Sequence, residues 1–449
     1  MLTRLITSLV GWAVALFYDV ERSGPALPAG PVLVTANHPN ALVDPLLLFR
    51  TGGRPSRPLA KAPLFEQALV GTVLRGLGGL PVYRRQDDEQ LMHLNDRTFE
   101  AAVAALRAGE AVQIYPEGMS HSEPALAPLR TGAARIALMA EQEAGWSLGL
   151  LVQPVGLTYA RKHLFRGRAL AAFGEPFSVT SWREAYEADP RGAARGLTDE
   201  IAARLAAVTL NLDHPGEPEL VEVAERLYTR EKGLARPRQR VALAERLPRM
   251  QAFARGVRWL RENDPDAFAR LVRAVQRYQR MLTLFGAREG DVPRAYRPAA
   301  VALYGLRQLL LLVLVLPLAA VGVAVWAVPL VSTRIVAPRF KGHLDQVASY
   351  KIGIAIVAFP AWLALVVAAA ALAASPRWGL LTLVALPLCG LAAIAWRDRQ
   401  ALVREDLRVF LGTLRHPSGR DRLAEQRAWL TREFDGVRAR SSGRPPTGG

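Results

Sequence analysis

Hydrophobic and polar positions change rhythm several times along this 449-residue chain. From Pro31 to Leu210, short apolar runs alternate with stretches whose apolar residues recur at helical spacing. Pro31–Ala36, Ala111–Tyr115 and Leu150–Tyr159 have the pattern of buried strands, whereas Leu64–Leu77, Glu89–Arg107, Leu129–Glu143 and Thr180–Leu210 read as helices. Strands alternating with helices predict an α/β fold, a mostly parallel sheet with flanking helices. In such sheets ligands sit beyond the strand carboxyl ends. A second helical region covers 219–285, where Phe253, Val257, Leu260, Phe268, Leu271, Val275, Tyr278 and Leu282 repeat as a packed face would. His214-Pro215-Gly216-Glu217-Pro218 links the two regions.

Three uncharged runs follow: Leu309–Val331 of 23 residues, Ile352–Ser375 of 24 and Trp378–Trp396 of 19. Each approaches or exceeds the roughly 20 residues that cross a bilayer as a helix. Pro317, Pro329, Pro360 and Pro387 lie inside them, and a proline pair also permits a re-entrant turn. At the other end, Leu5–Phe17 is a 13-residue uncharged run, short for a span, with no small-residue cleavage site after it. An interfacial anchor is the expectation there. The chain thus divides into an anchor (1–20), an α/β domain (21–215), a basic helical region (216–300), a membrane segment (301–396) and a basic C-terminal tail (397–449). The tail ends in SSGRPPTGG and is expected to be disordered.

Charge sharpens this division. The net charge of +17 comes from 52 arginines and five lysines against 40 acids, a skew that by itself reflects codon composition more than function. Its location says more: residues 221–300 carry 18 Lys/Arg against 9 Asp/Glu just before the apolar block. Basic segments beside spans are drawn to anionic lipid headgroups, and no nucleic-acid-binding motif accompanies them. An anionic membrane surface is the expected partner, not nucleic acid. Both flanks of the membrane segment and the 332–351 loop are basic, which by the positive-inside bias keeps them on the cytoplasmic side. One apolar run then does not cross: Leu309–Val331, with its two prolines, is the expected re-entrant element, and Ile352–Trp396 the spanning hairpin. A single cysteine, Cys389, rules out an internal disulfide framework and any cysteine-based zinc site.

Four blocks carry candidate chemistry. Asn37-His38-Pro39-Asn40-Ala41-Leu42-Val43-Asp44-Pro45 follows the first strand. A turn at Pro39-Asn40 must bring His38 and Asp44 together, since six positions place them off a common helix face. A carboxylate on one imidazole nitrogen fixes the tautomer and raises basicity at the other, giving a general base for a hydroxyl; the plainer alternative is a loop histidine capping a helix. Gly78-Gly79-Leu80-Pro81-Val82-Tyr83-Arg84-Arg85 delivers two arginines, either able to clamp a phosphate or to sit solvated. Tyr115-Pro116-Glu117-Gly118-Met119-Ser120-His121 follows another strand, with Gly118 allowing backbone N–H groups near an anion. Glu117 would orient an arginine or a substrate hydroxyl, or cap a helix. The fourth block, Leu151-Val152-Gln153-Pro154-Val155-Gly156-Leu157, reads as a strand carrying proline.

In this order the blocks resemble the four motifs of the glycerol-phosphate and lysophospholipid acyltransferases, the family with a PlsC-like acyltransferase domain. Five residues separate His38 from Asp44 where the commoner pattern has four. This form, together with Ser120-His121 after Pro116-Glu117-Gly118, is similar to fungal-type glycerol-3-phosphate and dihydroxyacetone-phosphate acyltransferases. The resemblance implies a glycerolipid acyltransferase-like sheet, His38 as base, Asp44 as its orienting partner and Arg84 as phosphate ligand. It implies Glu117, Gly118, Ser120 and His121 lining the acceptor site, with His121 alternatively a helix cap. It further implies direct attack of an acceptor hydroxyl on an acyl thioester (acyl-CoA or acyl-carrier protein as co-substrate) with no cofactor and no metal. The acceptor would be glycerol 3-phosphate or dihydroxyacetone phosphate; a lysophosphatidate is the alternative. A thioesterase, or a lipid-binding protein without turnover, is the rival of another class. The cytoplasmic membrane, with the catalytic domain facing the cytoplasm, is the expected location. No Gly-x-Ser-x-Gly elbow, Walker loop or dinucleotide fingerprint occurs.

Overall fold

The computed structural model describes residues 11, 14–83, 95–160, 162, 166–214, 216–234, 241–284, 298–336, 347–415 and 417–441. It divides into two compact units, residues 1–211 with 242–247 and 336–356, and residues 212–241 with 248–335 and 357–449.

In the first unit, strands β1 (Tyr18–Ser23), β2 (Val32–Ala36), β3 (Ser56–Lys61), β4 (Leu80–Val82), β5 (Ala111–Ile114), β6 (Leu151–Ala160), β7 (Gly167–Phe173) and β8 (Phe177–Ser178) form one sheet. Its order is β1-β7-β6-β2-β5-β3-β4, with β8 also on β6. β2 through β6 run parallel, while β7 returns antiparallel to β6 and β1 lies parallel to β7. The mostly parallel sheet expected from the alternating pattern is therefore present. One consequence fixes the site: β2, β5 and β6 end on the same edge, where β1 and β7 begin.

Burial explains the runs. β2 is buried at all five positions because both faces are covered. Leu33, Val112 and Val152 share a register row and face α4 (Asn95–Arg107), α5 (Gly132–Glu143) and α7 (Pro190–Val208). Val32, Val34 and Ala36 point the other way, onto Leu46, Leu47 and Leu48 of α1 (Val43–Thr51). The helix read over Leu64–Leu77 is two pieces, α2 (Pro63–Glu66) and α3 (Ala68–Gly76). The one over Thr180–Leu210 is interrupted before Pro190: α6 (Arg183–Ala188) stops, and the Asp189 carboxylate caps α7 by accepting from Arg191 N at 3.0 Å. Val14 and Tyr18 belong to the core, so the polypeptide is already part of this unit before β1 begins; most of the expected anchor lies outside the described residues.

The second unit is helical: α8 (Glu217–Glu231), most of α9 (Leu243–Asn263), α10 (Pro265–Leu284), nearly all of α11 (Pro298–Val336), the later part of α12 (Val347–Ala373), α13 (Pro376–Arg415) and α14 (Pro417–Ser441). The disordered tail is not observed over 397–441. α13 continues through the charged residues to Arg415, and α14 buries Leu423, Leu430, Phe434 and Val437. Phe253 touches both Tyr228 and Phe434 edge-on, at 5.7 and 6.2 Å between ring centres. Arginine-rich composition masked a periodic apolar stripe. Buried Glu225 and Glu217 pair with Arg249 and Arg261 at 3.1 and 2.8 Å, so part of the positive charge is consumed inside the bundle.

The apolar runs differ from expectation too. The break expected within Leu309–Val331 is absent: α11 runs unbroken through Pro317 and Pro329. Ala302–Thr333 and Pro376–Arg404 are long and apolar enough to cross a membrane, with mean hydropathies of 2.8 and 2.1, and Val357–Ala373 is a shorter apolar helix. Proline at 329 leaves the Val325 carbonyl without its helical donor, and the Trp362 indole N–H fills that place at 2.9 Å. Trp326 and Trp396 likewise donate to the carbonyls of Leu386 and Leu312, each at 3.0 Å. Of the 332–351 loop, residues 332–336 and 347–351 are helical and the rest lies outside the described residues.

Candidate active site

Where β2 ends, the chain makes one tight turn before α1. Val43 N donates to Asn40 O at 2.9 Å and Asp44 N to Ala41 O at 3.3 Å. Ala41 has φ +42°, a left-handed conformation rarely adopted by residues with a Cβ. Strain of this kind persists only where surroundings over-determine the backbone, and here they do. Asn37 at the strand end exchanges two hydrogen bonds with Leu157 on β6, its Nδ2 donating at 3.0 Å and its Oδ1 accepting at 2.6 Å.

The turn places His38 Nδ1 2.8 Å from Asp44 Oδ2. A carboxylate accepts only, so Nδ1 carries the proton and Nε2 is left as the basic nitrogen. Asp44 is wholly buried while His38 keeps 20% exposure, so the pair meets solvent through the imidazole alone. Three further groups fix the geometry. Asn40 N donates to the same Asp44 Oδ2 at 2.8 Å, Tyr159 OH to Oδ1 at 2.7 Å, and the Tyr115 ring stacks on the imidazole at 4.1 Å. Burial first, and then the charge of Asp44, hold the phenols of Tyr115 and Tyr159 well above the usual tyrosine range; burial does the same for Tyr18. All three are neutral donors at ordinary pH.

The block after β5 wraps around this turn. Glu117 Oε1 accepts the His38 backbone N–H and Oε2 accepts Ala127 N, both at 2.8 Å, and His121 Nε2 also pairs with Oε2. Its side chain has no exposed surface. In this structure the Glu117 carboxylate faces inward and accepts from three protein donors, beside the expectation that it lines the acceptor site. Ser120 Oγ accepts from Ala41 N at 3.0 Å, and His121 N donates to His38 O at 3.1 Å. Gly118 has φ +73°, and a Cβ there would lie 2.8 Å from Arg130 Nε, so the arginine lies flat across the glycine. Lys162 spans the two loops, donating to Pro39 O at 2.8 Å and Ser122 Oγ at 2.7 Å. Tyr18 OH donates to the Lys162 carbonyl and accepts from Asn40 Nδ2, the latter at 2.9 Å.

His38, Asp44, Glu117, Gly118, Ser120 and His121 are thus gathered on one sheet edge. Arg84 and Arg85 lie outside the described residues. Sequence reasoning gave no part in the site to Tyr115, Tyr159, Arg130 and Lys162, and took Asn40 only as a turn residue. The signal for three of them is topological: Tyr115, Tyr159 and Lys162 stand at or just past the ends of β5 and β6, beside the end of β2. Among the described residues, no cluster of three or more His, Cys, Asp or Glu side chains is arranged to hold a metal.

Residues 19–158 match the Acyltransferase family model, the stretch from β1 through nearly all of β6. This stretch of the chain is therefore similar to acyltransferase-family domains. An acyltransferase described without further function in Schizosaccharomyces pombe is 25% identical over 296 residues, 47% of this chain and 43% of that protein. Glycerol-3-phosphate O-acyltransferases 2 and 1 of Saccharomyces cerevisiae are 35% identical over 135 residues and 28% over 173, covering 30% and 38% of this chain. The chain spans under half the length of these relatives, 43%, 18% and 21%. The crystal structure of the 1-acyl-sn-glycerophosphate acyltransferase PlsC from Thermotoga maritima aligns over 46% of this chain and 80% of that one, at 19% identity and a TM-score of 0.33.

Proposed function

We propose that this protein is a membrane-bound O-acyltransferase that moves a fatty acyl group from an acyl thioester to a hydroxyl of glycerol 3-phosphate or dihydroxyacetone phosphate. The observation that carries the reading is the His38–Asp44 contact at 2.8 Å, with Asp44 buried and His38 open to solvent. Nε2 of His38 takes the proton of the acceptor hydroxyl as its oxygen attacks the thioester carbonyl. The tetrahedral intermediate collapses with cleavage of the C–S bond, and the imidazolium returns the proton to the leaving thiolate. An ester and a free thiol result, with no group left on the enzyme. Ser120 is a poor covalent nucleophile because its Oγ braces Ala41 N. Glu117 acts as a positioning residue. Arg130, exposed beside Gly118, supplies a cation for the acceptor phosphate in addition to Arg84. The yeast relatives named for glycerol 3-phosphate support that acceptor over a lysophosphatidate. Ala302–Thr333 and Pro376–Arg404 support a membrane location, and the remaining surface arginines an affinity for anionic lipid.

The test is thiol release by purified protein in vesicles, with acyl-CoA and each of glycerol 3-phosphate, dihydroxyacetone phosphate and a lysophosphatidate. Acceptor-dependent release, with His38→Ala at least 10²-fold slower, is expected. Equal release without acceptor identifies a thioesterase instead. A His38→Ala enzyme retaining a tenth of the rate overturns the mechanism. Tenfold faster turnover of the lysophosphatidate than of both small acceptors moves the acceptor assignment and leaves the chemistry standing.

A further inference from the structure

Resting on that reading of His38 and Asp44, we propose that Tyr159 is a positioning residue for the transfer: its hydroxyl holds the Asp44 carboxylate so that Oδ2 stays on His38 Nδ1. Asp44 has two oxygens with different duties. Oδ2 is shared by the imidazole and by Asn40 N, each at 2.8 Å. Tyr159 OH, at 2.7 Å, is the partner of Oδ1. Asp44 has no exposed surface, so bulk water cannot replace a lost donor there. A buried carboxylate oxygen without a donor carries a desolvation penalty that rotation toward another N–H relieves. In this turn the nearest such N–H groups are those already bound to Oδ2. Removing the tyrosine hydroxyl therefore sets Oδ1 in competition with Oδ2 for the imidazole and loosens the base.

Tyr159 is itself held in place. It is the penultimate residue of β6, paired with β7 at Ala169, and its ring meets Tyr18 edge-on at 5.5 Å. Its phenol, kept protonated by burial and by Asp44, donates throughout the working pH range. Among the described residues, the ionisable groups that face the His38–Asp44 pair are Tyr18 from β1, Tyr115, Glu117 and His121 from the segment after β5, and Tyr159 with Lys162 from the end of β6. Tyr159 is the one among these that bonds the Asp44 carboxylate without also bonding the turn backbone.

The substitution that separates this role from packing is Tyr159→Phe, which keeps the ring. Acyl transfer should show kcat lowered about ten- to a hundredfold, the loss of one hydrogen bond to a charged group, with KM for acyl-CoA and acceptor within twofold. A donor fewer leaves more charge on Asp44 facing the imidazolium, so the acid limb of the kcat/KM profile moves to higher pH. A structural role alone would lower Tm and leave that limb in place. Should Tyr159→Phe fail to fold, Tyr159→Met, of similar length and also without a donor, takes the same assay. Wild-type kcat within twofold, or a lowered kcat with an unmoved acid limb, overturns the proposal. His38→Ala in the same assay separates the two failures: if it is inactive while Tyr159→Phe is fully active, only this inference falls.

Discussion

The turn that carries His38 and the apolar helices α11–α13 meet one physical requirement in opposite ways. Both contain backbone groups that regular structure leaves unpaired. In the turn the missing partners are a carboxylate, a hydroxyl and an ammonium: Glu117 takes the His38 N–H, Ser120 takes Ala41 N, and Lys162 reaches Pro39 O. In the helices the clear case is the Val325 carbonyl opposite Pro329, which the Trp362 indole fills, while Trp326 and Trp396 add indole bonds to the Leu386 and Leu312 carbonyls of neighbouring helices. A buried carboxylate is costly to desolvate and is tolerated only where several donors converge. An indole brings one donor on a large apolar body, suiting a surface that exposes Leu310, Leu314, Leu380 and Leu388. The first arrangement makes a rigid polar site; the second holds helices together without a charge.

The largest effect that tests this contrast falls on Glu117. Glu117→Ala leaves three part-buried donors without their acceptor, each at up to about 1–3 kcal/mol. A loss of about 2 kcal/mol or more is expected, together with acyl transfer lowered more than about 10²-fold. Thermal unfolding of the full chain in detergent, read beside thiol release, measures both. Were Glu117 an acceptor ligand, as the family resemblance suggests, the same variant would keep its Tm and lose mainly in acceptor KM.

How far the sequence foretold the site follows from the kind of contact involved. His38 and Asp44 are six residues apart and announce themselves; a turn is all that joins them. Glu117 and Gly118 stand out as a motif, yet their duty is invisible in one dimension because Glu117 answers a backbone N–H 79 positions away. Tyr159 is harder still: its strand reads as core, and only the register of β6 beside β2 sets it against Asp44. The sheet itself was legible because burial on both faces writes continuous apolar runs. α14 was not, because its arginines and acids outnumber the four residues that pack. The two prolines of α11 suggested a break since nothing local shows that Trp362 lies opposite Val325.

A middle-sized effect concerns the tyrosines around Asp44. Their phenols are raised in the folded state by burial, whereas in the unfolded chain they ionise near pH 10. A raised folded value means that the stabilisation is complete below about pH 10 and is lost as pH climbs toward the folded values. Alkaline titration should show stability falling from about pH 10 upward, with tyrosinate absorbance appearing together with unfolding rather than before it. Tyr115→Phe should flatten this slope. An unchanged slope would mean that the ring beside His38 is more open than its stacking at 4.1 Å implies.

The smallest effect probes the helices. If Trp362 answers the carbonyl that Pro329 leaves free, its hydrogen bond is worth most when that proline is present. Trp362→Phe keeps an aromatic body and removes the donor, and such bonds between membrane helices contribute about 0.6 kcal/mol, rising to about 1.7 at most. Pro329→Ala restores a helical N–H to Val325 O and makes the indole redundant. Measured by unfolding in mixed micelles, Trp362→Phe should cost less than half as much on the Pro329→Ala background as on the native one. Equal costs on both backgrounds would detach the tryptophan from the proline. The bond at 2.9 Å would then be one helix contact among several, and the continuity of α11 through Pro329 would need another cause, such as the close approach at Gly322, where a Cβ would meet the Cys389 carbonyl oxygen at 2.1 Å.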